Sequence, residues 1–465
     1  MVPSFYGPDL LTPSERVWVD FGGNRVALWA VDVGERLQAH VTAPDPHGSV
    51  EAAVNAVTAQ KGVVNGFATL DATGRVPASQ LSMSDVGVYV PHGWGAFWKA
   101  KRDDALTNKA RMIVVGGSAS QGYYATNLHS GGWVGEVRNA LQTRFGDGGS
   151  GFFPASRTAT YISGAADTNA LAEWLTNKSV AAQAGVWTLG GSQYGPGVTY
   201  VYCQTTGASI TFTVSGTIAK IYTVTGGSTR ANYTYSVGGG TPVAVSDVGG
   251  STSSIQVTTV NGLAPGTHEV TLTWNGTTSG TGQYLSVVGV SGENATGIVV
   301  DNLAKAGAKA STYGNHLPSA LNAVWNGGAD YPADLCVFTA GPNDAVAGTS
   351  VDEWSNGVAR YFKAVRDANN GETDLMILLP HLGTHDVTNF LYQDYASRAR
   401  GLADAYGAAL VDMWAIGRNS WSYWDSLGYW GTASDPGAIG HDSVHLSDLG
   451  YSFVASIVKP ILMAD

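Results

Sequence analysis

Short apolar runs that close on small or turn-forming residues alternate with amphipathic stretches in two separate parts of the 465-residue chain. Met112-Ile-Val-Val115 reads as a buried parallel strand, followed by two glycines and Ser118, where the strand must turn sharply into a helix. Helix-forming residues between Trp98 and Lys109 precede it, and Gly132 to Phe145 carries the pattern of an amphipathic helix that Gly146 ends. Far downstream, Val299-Val-Asp-Asn302 is strand-like and leads to Gly307, and Asp334 to Ala340 is a second apolar run closing on Gly341-Pro342-Asn343-Asp344. Ser350-Val-Asp-Glu353 has a capping-box pattern and opens a helix to about Asp367; Leu375 to Leu379 is a strand, Asp394 to Tyr406 a helix, and Ala408 to Met413 a strand. Such alternation predicts an α/β fold with a parallel sheet flanked by helices.

The pattern changes twice. Gly307 follows Ser118 by 189 positions, far more than a sheet crossover requires. From about Val186 to Ala295 helical periodicity is absent; Ser209 to Val214, Ala219 to Val224 and His268 to Trp274 alternate apolar and polar residues between Gly, Ser and Asn turns, which predicts an inserted all-β sandwich. At the other end, Trp18 to Trp29 reads as a hairpin turning at Gly22-Gly23-Asn24, and Val50, Ala53, Val54 and Val57 form one apolar stripe on a short helix. The expected organisation is an N-terminal segment over residues 1–88, a first part of the α/β domain over 89–185, the all-β insert over 186–295, and the second part of the α/β domain over 296–465.

The candidate chemistry sits where strands end. Ser118 is a candidate nucleophile at a strand-to-helix turn, beside helix-opening N–H groups. A P-loop would need a Lys-Ser/Thr pair, and the G-x-S-x-G elbow would need glycine at Ser120. Asn343, at the end of another strand, offers an amide to a developing oxyanion. Asp442-Ser443-Val444-His445 spaces a carboxylate and an imidazole about one helical turn apart, so that the Asp can hold one ring nitrogen while the other faces a serine. His381 and His441 fall near the same edge but have no Asp three positions ahead of them.

These blocks resemble the SGNH (GDSL-type) hydrolases: Gly116-Gly117-Ser118-Ala119-Ser120-Gln121-Gly122 is similar to their G-D-S-x-x-x-G, Gly341 to Asp344 to their G-x-N-D, and Asp442 to His445 to their D-x-x-H. The resemblance implies a three-layer sheet fold and a serine esterase with Ser118 as nucleophile, His445 as base and Asp442 orienting it. The oxyanion hole it implies comprises the N–H groups of Ser118 and Gly307 and the Asn343 side chain. It implies no metal or cofactor. Gly117 departs from the pattern, standing where the family has aspartate. Trp421, Trp424 and Trp430 precede Asp442 and are candidates for the wall of a substrate cleft, with core packing of one or two of them as the equal alternative, and Tyr194, Tyr200, Tyr222 and Trp274 of the insert are candidates for stacking on sugar or for its core.

Composition narrows the partners. Lys and Arg number 25 against 36 Asp and Glu, a net charge of −11, which argues against nucleic acid or an anionic membrane surface. No run is long and apolar enough to insert in a membrane, and the N-terminal residues lack the pattern of a signal peptide. Cys203 and Cys336 read as buried thiols, with a disulfide as the alternative. His40 and His47 lack a third ligand type nearby for a metal. The stretches His40 to Gly48 and Gly62 to Leu81 resemble connector segments of bacteriophage tail fibre and minor tail proteins. That resemblance implies a homotrimer whose thin N-terminal part anchors to other tail proteins; joined to the hydrolase resemblance, it makes the expectation a virion tail esterase that removes acyl groups, above all acetyl, from polysaccharide or peptidoglycan of the host envelope. The rival expectation is an adhesin that holds the glycan without cleaving it.

Overall fold

The computed structural model describes residues 16–21, 24–29, 87–155, 180–190, 195–227, 230–246, 249–275, 283–314, 333–339, 341–381, 389–431 and 444–464. The chain divides into two units, Met1–Asp85 and Val86–Asp465. In the first, β1 (Arg16–Phe21) and β2 (Asn24–Trp29) form an antiparallel hairpin in which Phe21 pairs with Asn24. The apolar stripe from Val50, the two histidines His40 and His47, and the tail-like connectors lie outside the described residues.

In the second unit, β3 (Val88–Tyr89) leads to α1 (Ala96–Asp103), β4 (Lys109–Gly116), α2 (Ser118–Gln121) and α3 (Trp133–Phe145). The helix expected to reach Lys109 stops at Asp103, because Lys109 already pairs with Gly297 as the first residue of β4. The chain then enters antiparallel structure: β5 (Gly151–Pro154), β6 (Val180–Ala184), β7 (Thr188–Leu189), β8 (Val201–Cys203), β9 (Ser209–Ser215), β10 (Ile218–Gly227), β11 (Tyr233–Val237), β12 (Val243–Val245), β13 (Gly249–Val260), β14 (Thr267–Trp274) and β15 (Leu285–Glu293). One sheet runs β12-β11-β14-β9-β6 and the other β13-β10-β15-β8-β7, with β5 also paired to β15. Ile210, Phe212, Val270 and Leu272 of the first sheet share one buried cluster with Val201, Ile221, Leu285 and Val287 of the second. Period-two alternation thus sends one face of each sheet to a common core. Strands β5 and β6 lie ahead of residue 186, so the antiparallel sheets draw in chain from upstream of the expected insert.

From β16 (Gly297–Asn302) the α/β pattern resumes with α4 (Ala310–Gly314), β17 (Leu335–Thr339), α5 (Pro342–Val346), α6 (Val351–Ala368), β18 (Asp374–Leu379), α7 (Asn389–Tyr406), β19 (Ala409–Asp412), α8 (Met413–Ile416), α9 (Trp421–Ser426) and α10 (Asp448–Met463). The sheet order is β16-β4-β17-β18-β19-β3; the first five are parallel and β3 is antiparallel to β19. The parallel strands are buried almost throughout, which is why they read as continuous apolar runs. Helix α6 starts as its capping box dictates, with the Ser350 hydroxyl accepting from the Glu353 N–H at 3.2 Å. From β4 the chain goes to β16 on one side and later to β17 on the other. That reversal opens a crevice at the carboxyl end of β4, where such sheets place ligands.

A buried charge cluster ties the parallel sheet to the antiparallel ones. Glu293, at the end of β15, accepts from Lys109 Nζ at 2.5 Å and from Arg111 Nη2 at 2.9 Å, both on β4, and pairs with Lys220 of β10 at 3.3 Å. Arg111 also donates to Asp301 of β16, whose other carboxylate oxygen accepts from Phe152 N at 2.7 Å. Burial opposes the charge on Glu293, but Arg111, Lys220 and Lys109 together outweigh it and hold the carboxyl well below its usual range.

Candidate active site

The crevice is built by close approach of strand ends. At Gly116 a Cβ would lie 1.7 Å from Thr339 Oγ1, so only glycine lets β4 and β17 converge there. The following helix is pinned on three sides: Ser120 Oγ bonds Thr339 Oγ1 at 2.6 Å, Trp133 Nε1 donates to Ser120 Oγ at 3.3 Å, and Asn302 Nδ2 donates to the Ser120 carbonyl at 2.8 Å. Ser118 opens that helix, so its N–H and that of Ala119 have no preceding helical carbonyl to bond.

His445 arrives from 327 positions away and sets Nε2 2.7 Å from Ser118 Oγ. Its neighbours are fixed individually. His381 Nε2 donates to the Val444 carbonyl at 3.0 Å, Gly431 N donates to the His445 carbonyl at 2.9 Å, Leu446 is fully buried, and Ser447 caps α10. Asp442 and His441 lie outside the described residues.

Asn343, in the first turn of α5, places Nδ2 3.0 Å from the Ala308 carbonyl and beside Gly117, where a Cβ would stand only 2.8 Å from it. Gly307 (φ 72°) precedes Ala308, and the loop carrying both is held by Lys305 N on the Gly116 carbonyl (2.9 Å) and Ala306 N on Gln121 Oε1 (2.8 Å). Two buried charges stand behind it. The Asp344 carboxylate accepts from Ala310 N with both oxygens at 3.1 Å, and burial pushes it up to about 7. Lys305 Nζ reaches the Val198 carbonyl at 3.1 Å, and burial brings it down to about 8.

Ser118, Ala308, Asn343, His381 and His445 all line one cleft. An imidazole nitrogen 2.7 Å from a hydroxyl can take its proton, and an amide with helix-opening N–H groups nearby can stabilise an oxyanion. Among the described residues no three His, Cys, Asp or Glu side chains converge as metal ligands would.

Three contributors escaped sequence reasoning. The Tyr124 ring stacks on His445 (centroids 5.4 Å apart, planes at 10°), and Tyr123 tilts against it at 4.7 Å. Tyr124 has φ 71°, a conformation a bulky residue adopts only when its surroundings enforce it. The sequence signal was the Tyr pair close after Ser118. His381, set aside for want of a nearby Asp, is buried at the cleft and braces the chain beside His445.

The structure decides between the two readings of Trp424 and Trp430 in favour of the core. Trp424 and Trp430 are 1% and 2% exposed and pack with His381 and, for Trp424, Tyr429 and Phe453, while Trp421 stacks on Trp430. Trp424 and Trp430 give their apolar area to the core, Trp421 lies half-buried against it, and none of the three is among the described residues that line the cleft. Likewise Tyr200, Tyr222 and Trp274 are buried, Tyr194 lies outside the described residues, and Cys203 and Cys336 are buried free thiols.

Residues 267–453 match the profile of the GDSL-like lipase/acylhydrolase family. The chain carries a serine ester hydrolase domain. The match contains Gly307, Asn343 and His445, while Ser118 lies upstream of it, across the antiparallel sheets. No curated protein sequence matches the chain. Among solved structures, a peptidoglycan O-acetylesterase shares 18% identity with the hydrolase over 80% of this chain and 97% of its own, at a TM-score of 0.53, a likeness of fold. A family two carbohydrate esterase from Clostridium thermocellum, an active-site mutant, aligns at 13% identity over 56% of this chain and 93% of its own, TM-score 0.25. One from Cellvibrio japonicus aligns at 8% identity over 60% and 98%, TM-score 0.24.

Proposed function

We propose that this protein is a phage tail-associated serine esterase that removes acyl groups, above all acetyl, from polysaccharide or peptidoglycan of the host envelope. The observation that carries the reading is the 2.7 Å contact between Ser118 Oγ and His445 Nε2 in a cleft that also holds the Asn343 amide. Ser118 attacks the ester carbonyl as His445 takes its proton. The tetrahedral oxyanion is held by the N–H groups of Ser118 and Gly307 and by Asn343, and the alcohol leaves with the proton from His445. Water then repeats the sequence on the acyl-serine, and Asp442 steadies the imidazolium. The glycan ester is suggested by the peptidoglycan O-acetylesterase that shares the fold, and the tail location by the connector-like stretches His40 to Gly48 and Gly62 to Leu81. On this reading the chain is a homotrimer joined to other tail proteins and works at the host surface.

Purified full-length protein is expected to release acetate from host cell wall, and Ser118→Ala to release none while still binding the wall. A wild-type protein that binds the wall and frees no acyl group would instead be an adhesin. Light scattering that finds a monomer would end the tail-trimer part and leave the hydrolase intact.

A further inference from the structure

We infer that the inner end of the cleft is an acyl chamber sized for acetyl, and that His381 is its rear wall; this rests on the esterase reading. A carbonyl carbon bonded to Ser118 Oγ has three other substituents. Its oxygen belongs with the Asn343 amide and the helix-opening N–H groups, and its departing alcohol belongs beside His445 Nε2, which must protonate it. The direction left for the acyl chain runs along Gly341 and Pro342 toward Pro380 and His381.

That direction meets Ala119, Pro380 and His381. The cleft has a volume of about 30 Å³, room for roughly two or three water-sized groups at about 10–15 Å³ each. Beyond it lies a second cavity of about 10 Å³, lined by Trp133, Leu378, Met413 and Val454 among others, all in the core. Ala119, Pro380 and His381 line both cavities, so they are the partition between them. His381 is not a swinging door: it is 3% exposed, donates to the Val444 carbonyl at 3.0 Å, and has the rings of Trp424 and Trp430 at 5.3 Å each. The acetyl methyl fits in front of the partition. Longer chains meet it.

The reaction is an ordinary double displacement. The Oγ–acyl bond forms as the ester C–O bond breaks, with the serine proton passing through His445 to the alcohol, and water then releases the acid. Chain length changes only how the acyl group seats, so the discriminating quantity is the ratio of kcat/KM between p-nitrophenyl butyrate and acetate. Since a methylene alone discriminates by about 10–200-fold, wild type is expected to favour acetate over butyrate by at least about 100-fold. His381→Ala, which joins the two cavities, is expected to raise the butyrate-to-acetate ratio about tenfold or more on the same per-methylene scale. His381→Asn, shorter but still an N–H donor, is expected to shift it in the same direction. Val454→Ala enlarges only the rear cavity and leaves the ratio unchanged. Loss of the brace on Val444 would slow both esters alike and not move the ratio. Equal cleavage of acetate and butyrate by wild type, or an unmoved ratio in both folded His381 variants, would overturn the chamber. Absence of cleavage of every ester by wild type would instead remove the esterase reading beneath it.

Discussion

Gly117 has no side chain, and the Asn343 amide occupies the space one would fill. In the SGNH pattern that position is an aspartate; here the missing side chain lets the amide lie against the start of the Ser118 helix. Asn343→Ala is therefore expected to lower kcat/KM by about a hundredfold to a thousandfold through loss of one oxyanion donor. Gly117→Ala should slow turnover in the same sense, because its Cβ would displace that amide; full activity in Asn343→Ala would show that the amide does no such work. Ser118, Asn343 and His445 were legible because each closes an apolar run or stands at a fixed spacing in a motif. Tyr124 and His381 were not, because their roles arise from contacts with residues 444 and 445, hundreds of positions or a whole β-α step away. The tryptophans mark the limit of a local reading: an aromatic residue near a motif reads equally as a ligand contact or as core until its burial is known, and Trp424 and Trp430 are core.

At the scale of elements, the parallel strands and α3, α6 and α10 form where apolar period and capping residues dictate, and their register brings Lys109 and Arg111 under Glu293. No sequence pattern announced that cluster, since its members come from β4, β10, β15 and β16, and pairing across strands is invisible to local periodicity. Glu293→Gln removes the only carboxylate shared by Lys109, Arg111 and Lys220 among the described residues. Breaking a buried ion pair costs about 3–5 kcal/mol, so the variant should melt well below wild type at pH 7. The pH dependence follows from the depressed carboxyl. Its contribution is fully present above the ordinary value of 4.5 and is lost as pH falls toward the folded value, so the difference in melting temperature should narrow below about pH 4.5. A gap that stays constant down to pH 3 in calorimetry would show that charge is not what Glu293 contributes.

For the whole molecule, the central fact is that Ser118 and His445, which flank a large antiparallel structure in the chain, meet in one cleft. The family profile begins at residue 267, within β14, and so leaves Ser118 outside, yet the fold returns His445 to hydrogen-bonding distance of it. The sequence made the alternation of helix and strand legible on each side, and with it the parallel sheet. The antiparallel sheets reach further upstream than the expected start at residue 186, because β5 and β6 are short and owe their place to pairing with β15 and β9 rather than to any pattern of their own. The most direct measurement is hydrolysis of p-nitrophenyl acetate by wild type, Ser118→Ala, His445→Ala and the double variant. If the two side chains act as one unit, each single change abolishes most turnover and the double variant is little slower than either. Multiplicative losses, or a Ser118→Ala protein as fast as wild type, would contradict the account.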